Sequence, residues 1–145
     1  MIKVNIICVG KIKEDFYRAA VAEYAKRLSR FCSFEITELP EGKNLQEEGQ
    51  AILRRAQGCI IALCIEGKKL SSIALAAEIK KLCDRGEKIT FIIGSSEGLS
   101  PAVKEAANLK LSFSDMTFPH QLMRVILCEQ IYRAFMINGG GEYHK

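Results

Sequence analysis

The sequence predicts an α/β fold, a mainly parallel sheet flanked by helices. Three observations carry that prediction. Strand-like and helix-like segments alternate along most of the chain. Two of the strand-like segments, residues 59–65 (CIIALCI) and 88–93 (KITFII), are nearly unbroken apolar runs, as expected of strands covered on both faces. Turn and cap signals stand at the junctions: 40–44 (PEGKN), Gly58, and Ser100 followed by Pro101.

Each element has its own justification. Residues 3–9 are rich in Val and Ile and end at Gly10, which gives a buried first strand and a turn. Residues 14–30 have helical spacing, with Phe16, Ala19, Ala20, Tyr24 and Leu28 roughly on one side and Arg18, Lys26, Arg27 and Arg30 as a solvated face. Residues 33–39 alternate and form a second strand. A helix over 45–57 follows the PEGKN loop and stops at Gly58. The third strand, 59–65, leads into Glu66-Gly67-Lys68; Ser71 or Ser72 then caps a helix reaching Asp84. The strand at 88–93 opens directly into 94–101 (GSSEGLSP), where Ser100 is the N-cap and Pro101 the first helical residue. That helix runs through Ala107, and 109–113 is a last short strand.

After Pro119 comes a long helix of a different kind. Leu122, Met123, Val125, Ile126, Leu127, Ile131, Phe135, Met136 and Ile137 point in every direction around it, with His120, Arg124, Glu129, Gln130 and Arg133 among them. A helix apolar all round is buried on all sides. One small domain cannot cover both faces of it, so a second subunit is expected over the far face. Residues 138–145 are expected to be a flexible tail, since Gly139, Gly140 and Gly141 precede Tyr143, His144 and Lys145. With no internal repeat and no linker, residues 1–145 are expected to be a single domain.

Composition narrows the class. A net charge of +4 is compatible with RNA or phosphate partners without demanding them. The six cysteines form no C-x-x-C pair and there are only two histidines, so no metal is expected and the thiols suit a reducing cytosol. The apolar start is too short to span a membrane and lacks a cleavage site, so a cytoplasmic protein without membrane attachment is expected.

In parallel sheets ligands bind beyond the carboxyl ends of the strands. Three such ends stand out: 63–68, 94–98 and 113–118. The second is G-x-x-x-G without the Lys-Ser/Thr of a P-loop, and neither G-x-G-x-x-G nor G-x-S-x-G occurs. Kinase, dinucleotide dehydrogenase and Ser-hydrolase chemistries are therefore disfavoured. An adenosyl cofactor without phosphates, held through backbone groups, suits these loops better.

The ordered motifs Ile92-Ile93-Gly94-x-x-Glu97-Gly98-Leu99, Leu111-Ser112-Phe113-Ser114, Met116-Thr117-Phe118-Pro119-His120, Arg124-Val125, Glu129-Gln130-Ile131-Tyr132-Arg133-Ala134 and Tyr143-His144-Lys145 carry a specific resemblance. With Lys3-x-x-x-Ile7-x-x-Val9-Gly10-Lys11 at the start, it covers essentially the whole chain. The sequence resembles the small SPOUT-class methyltransferases that methylate N3 of a pseudouridine in 23S ribosomal RNA, the ribosomal RNA large subunit methyltransferase H family. The resemblance implies a C-terminal trefoil knot, a rare exception to unknotted topology. It further implies a homodimer, S-adenosylmethionine as cofactor, and 23S rRNA in the assembled ribosome as substrate. Matched by motif, the cofactor would touch Leu63, Gly94, Phe113, Ser114, Asp115, Met116, Thr117 and Phe118.

Candidate catalytic residues are His144 for proton handling or base contact, Arg124 and Arg133 for anion or phosphate contact, and Tyr143 for stacking on a base. Glu129, four residues before Arg133, would orient it. The alternative for Arg133 is interface structure, and His120 is expected simply to cap the long helix. Two departures from the family pattern are visible. Ser95 stands where a second glycine is usual, and a glycine-only backbone conformation there would be strained; Gly-Glu precedes Tyr143 where many members have His-Pro. The competing readings are a catalytically silent RNA- or ribosome-binding protein and an enzyme using another adenosine-containing ligand.

Overall fold

Alternate side chains of each strand go to opposite faces of one sheet, and helices cover both. The computed structural model describes residues 1–145. Its strands are β1 (Lys3–Val9), β2 (Ser33–Leu39), β3 (Cys59–Lys69), β4 (Ile89–Ile93) and β5 (Leu109–Ser112). The helices are α1 (Asp15–Leu28), α2 (Leu45–Arg55), α3 (Ser72–Asp84), α4 (Pro101–Ala106) and α5 (His120–Asn138). Every strand pair is parallel, in the order β2-β1-β4-β3-β5. Ile6, Cys8, Phe91 and Ile93 face the larger core, closed by α1, α3 and α5. Ile7, Val9, Ile92 and Ala62, their neighbours in the strands, face a smaller core closed by α2 and α4. This two-sided burial is why 88–93 is apolar at nearly every position.

The helix starts follow the expected cap chemistry. Ser71 Oγ accepts from Ala74 N at 3.0 Å, and Ser100 Oγ from Val103 N at 3.3 Å with Pro101 behind it. Asn44, in the PEGKN loop, does the same for α2 through Glu47 N at 2.8 Å. Each such cap contributes about 1 kcal/mol.

One strand differs from the sequence expectation. Strand β3 does not stop at Ile65 but runs to Lys69, because Lys68 and Lys69 pair with Leu111 and Ser112 of β5. Leu63 also registers with Leu111, so residues 64–67 bulge outward between two pairings to one partner. Gly67 permits this; a Cβ there would lie 2.7 Å from the Lys110 backbone. Helix α5 is covered on one side only within the chain. Arg124, Leu127, Cys128, Ile131 and Ala134 form one buried stripe against α1 and α3. At about 100° per residue, Leu122, Ile126, Glu129, Arg133 and Met136 share the opposite face, and all are only half-buried.

Candidate functional site

The three strand ends converge. A cavity of about 570 Å³ lies beyond the carboxyl ends of β3, β4 and β5, within the range of small-molecule sites. Leu63, Gly94, Phe113, Ser114, Met116, Thr117 and Phe118 all line it. Asp115, the remaining residue of that set, does not. Its side chain is exposed and its carboxylate meets Lys69 Nζ at 2.5 Å, which ties the 113–118 segment to the end of β3. Serine hydroxyls brace the same segment: Ser114 Oγ accepts from Met116 N at 3.0 Å, and Ser112 Oγ donates to Ser114 O at 3.1 Å.

The wall formed by 94–98 depends on glycine. An added Cβ on Gly94 would sit 2.3 Å from Gly98 O and 2.6 Å from Gly98 C. The loop is closed by Gly98 N donating to Ser95 O at 2.9 Å, with Gly98 at φ +90°. Ser95 itself is not strained, since no residue other than glycine has positive φ. Its hydroxyl instead donates to Glu48 Oε1 at 3.1 Å, while Glu48 Oε2 accepts from Gly42 N at 3.1 Å. One α2 carboxylate thus anchors two loops at this end of the sheet. Nothing in local sequence marks Glu48 for that task, because its partner is 47 positions away.

His120 does not cap α5, whose N-cap makes no side-chain hydrogen bond; it lines the cavity beside Met123. Burial, and then the nearby Arg124 guanidinium, hold its imidazole below the ordinary histidine range, so it is neutral at pH 7.

Arg124, a candidate anion or phosphate contact, is instead paired within the chain. It is 0% exposed, with Nη1 on Glu38 Oε2 at 3.0 Å and Nη2 on Val9 O at 2.8 Å. Its Nε has no partner. The side chain pins the start of α5 to the ends of β1 and β2. In this chain it positions the cavity rather than facing a phosphate.

Arg133, Tyr143 and His144 form a second cluster on the half-buried face of α5. Glu129 receives Arg133 Nη2 at 2.7 Å and Nε at 3.3 Å, and Tyr143 Oη donates to Glu129 Oε2 at 2.6 Å. Arg133 Nη1 lies 3.0 Å from His144 Nδ1. Arginine is only a donor, so this contact requires Nδ1 unprotonated and leaves the proton on Nε2. The Tyr143 ring packs edge-on against Tyr132, with centroids 4.8 Å apart, and under the Arg133 guanidinium. Burial, followed by hydrogen bonding to Glu129, raises the Tyr143 phenol above its usual range and keeps it protonated. The tail is therefore folded back on α5 in this structure. It does not reach the cavity, whose lining ends at Met123.

Comparison with known proteins matches this geometry to a family. A family model described as "Predicted SPOUT methyltransferase" matches residues 2–144. The chain belongs to the SPOUT methyltransferase family. Among similar proteins are two named "Ribosomal RNA large subunit methyltransferase H". That of Levilactobacillus brevis is 49% identical and the alignment covers 98% of this chain and 99% of the relative. That of Streptococcus thermophilus is 50% identical, with 99% of each chain covered. Among solved structures, the SpoU methyltransferase AviRb from Streptomyces viridochromogenes, in complex with AdoMet, superposes with a TM-score of 0.53. It is 10% identical and the match covers 97% of this chain and 59% of that one, so it speaks to the fold alone. The parallel sheet with helices on both faces is thus a SPOUT-type fold.

Proposed function

We propose that the protein is an S-adenosylmethionine-dependent methyltransferase acting on N3 of a pseudouridine in 23S rRNA of the assembled ribosome. The observation that carries this reading is the cavity. Loops expected to hold an adenosyl cofactor, far apart in sequence, line one nucleoside-sized space. Relatives named as ribosomal RNA methyltransferases at about half identity over the full chain supply the substrate class.

The residues fit the cofactor. Gly94, lacking a Cβ, lets the Gly98 backbone pack against it and so shapes the loop wall, and Leu63, Leu99, Phe113 and Phe118 give apolar walls for an adenosine. When bound, S-adenosylmethionine supplies an electrophilic methyl group. The chain's own work is to place the acceptor nitrogen about 3–3.5 Å from it and to ease loss of the imide proton. Arg133 offers positive charge for the developing imide anion. With Nδ1 engaged by Arg133, His144 presents Nε2–H and acts as a hydrogen-bond donor to the base, the imide proton passing to solvent. Tyr143 supplies an aromatic face.

The tail cluster and the cavity are separate within one chain, which supports a homodimer in which one subunit's tail serves its partner's cavity. The half-buried Leu122, Ile126 and Met136, on the same face as Arg133, are the surface for that contact. A trefoil knot in the C-terminal third belongs to the same proposal. What supports it is the path of the chain: residues 113–119 leave the edge strand β5, and the start of α5 lies at the end of β1, where Arg124 Nη2 donates to Val9 O at 2.8 Å. The cytoplasm is the expected location, as for any enzyme of ribosomes.

Removing residues 143–145 tests the assignment of roles. Methylation should be abolished while S-adenosylmethionine binding, measured by calorimetry, stays within about twofold. Unchanged turnover would remove the tail from the mechanism. Mixed dimers of the tail deletion with a Gly94→Ala chain should regain activity if the tail serves the partner, and should stay inactive if each subunit is self-sufficient.

A further inference from the structure

The cavity is lined by neutral groups except at one place. Among its lining residues only Glu66 and Lys104 carry a full negative and a full positive charge, and Lys104 Nζ meets Glu66 Oε1 at 2.5 Å. They come from unrelated elements. Lys104 lies on α4, which packs over the smaller core; Glu66 reaches the cavity only because residues 64–67 bulge out of β3. The bulge in turn depends on Gly67 lying against the Lys110 backbone. The Glu66 carboxyl is held below the usual carboxylate range, first by its hydrogen bond from Lys104, and stays ionised at neutral pH.

Stability does not account for this arrangement. The Glu66 side chain is 56% exposed and that of Lys104 33%, and pairs so open to water contribute little. At the rim of an apolar, nucleoside-sized cavity, one acid beside one base is instead the complement of a ligand ending in a zwitterion. An α-amino acid group carries its ammonium and carboxylate on the same carbon. Each protein charge can exchange its present partner for one of the ligand's, keeping charge-assisted hydrogen bonds on both sides.

We infer that Glu66 and Lys104 form the subsite for the amino-acid end of S-adenosylmethionine, Glu66 receiving the ammonium and Lys104 the carboxylate. The pair thereby sets the preference for this cofactor over adenosine compounds lacking that end. The inference rests on the cofactor reading given above and adds to it a specificity-determining pair.

Calorimetry on the full chain with three ligands tests it: S-adenosylmethionine, its decarboxylated form, and 5′-methylthioadenosine, which has neither charge of the amino-acid end. Lys104→Gln should weaken S-adenosylmethionine about tenfold and leave decarboxylated S-adenosylmethionine unchanged. Glu66→Gln should weaken both amine-bearing ligands about tenfold and leave methylthioadenosine unchanged. Equal losses for all three ligands would mean that the pair only shapes the cavity, and the inference would be overturned. Unchanged binding of S-adenosylmethionine by both variants overturns it as well, leaving the cofactor reading intact. A wild-type chain that binds none of the three overturns the cofactor reading and this inference together. Thermal unfolding of the double variant E66Q/K104Q should match wild type, which separates ligand effects from loss of fold.

Discussion

Gly94→Ala isolates the part of the cavity that rests on a single missing methyl group. The new Cβ would lie 2.3 Å from Gly98 O, 2.6 Å from Gly98 C and 3.0 Å from Leu99 Cδ2. The first two contacts are with backbone, so no side-chain rotation relieves them. Gly98 is also bound back to Ser95, whose hydroxyl is tied to Glu48, so the loop has little slack. Overpacking of this kind costs about 1–3 kcal/mol. If the displaced loop is the cofactor wall, that cost appears as a loss of affinity of about 5- to 150-fold. Calorimetric titration with S-adenosylmethionine reads it, with circular dichroism to confirm that the sheet is intact. Gly86→Ala is the control: its φ is +69° but nothing lies within 4 Å, so it strains the backbone far from the cavity and should not alter affinity. Gly94→Ala binding within twofold of wild type would refute the placement of the cofactor against this loop.

The other predictions concern residues whose roles the structure redefined. Ser95→Gly, which restores the usual family residue, should not tighten cofactor binding, because Ser95 is unstrained and its bond to Glu48 contributes about 1 kcal/mol; a gain beyond tenfold in affinity would contradict this. Arg124→Met should destabilise the protein by about 2–3 kcal/mol in urea unfolding, somewhat under the ~3–5 kcal/mol for pairs buried at both ends, since Glu38 is 35% exposed. A loss below about 0.5 kcal/mol would show that Arg124 does not pin α5. His120 titrates below its ordinary value in the folded chain, so the unfolded chain binds the proton first. Its contribution to stability is present above about pH 6.5 and is lost as pH falls through the lower folded value. His120→Asn should therefore flatten the decline of Tm on acidification below that pH, and an unchanged slope would rule the residue out as its source.

Much of the fold was legible because the deciding signals are local. The strand at 33–39 and the starts of α2, α3, α4 and α5 fall where alternation, the PEGKN loop, Ser caps, and Pro101 or Pro119 put them. Three strand ends stand out for the same reason, and they line one cavity. What local patterns could not show depends on partners distant in the chain. Strand β3 was cut short at Ile65 because Glu66-Gly67-Lys68 has the chemistry of a loop; only its pairing with β5, some forty residues on, makes Lys68 and Lys69 strand. Arg124 had the type of an anion contact, yet Val9 and Glu38 claim it from 115 and 86 positions away. The tail had the composition of a free tether, and aromatic packing on Tyr132 together with Glu129 docks it in this structure. Helix α5 has more apolar positions than one face needs; α1 and α3 take one stripe and leave the other half-covered.

The proposed reaction is methyl transfer to N3 of a pseudouridine in ribosomal RNA. Its most direct test supplies methyl-labelled S-adenosylmethionine and wild-type protein to ribosomes from cells lacking the enzyme. The RNA is then digested to nucleosides, which are separated and identified by mass spectrometry. Label is expected in N3-methylpseudouridine from the large-subunit RNA, with little incorporation into the same RNA stripped of protein. Label on another atom or nucleoside, or none at all, would contradict it.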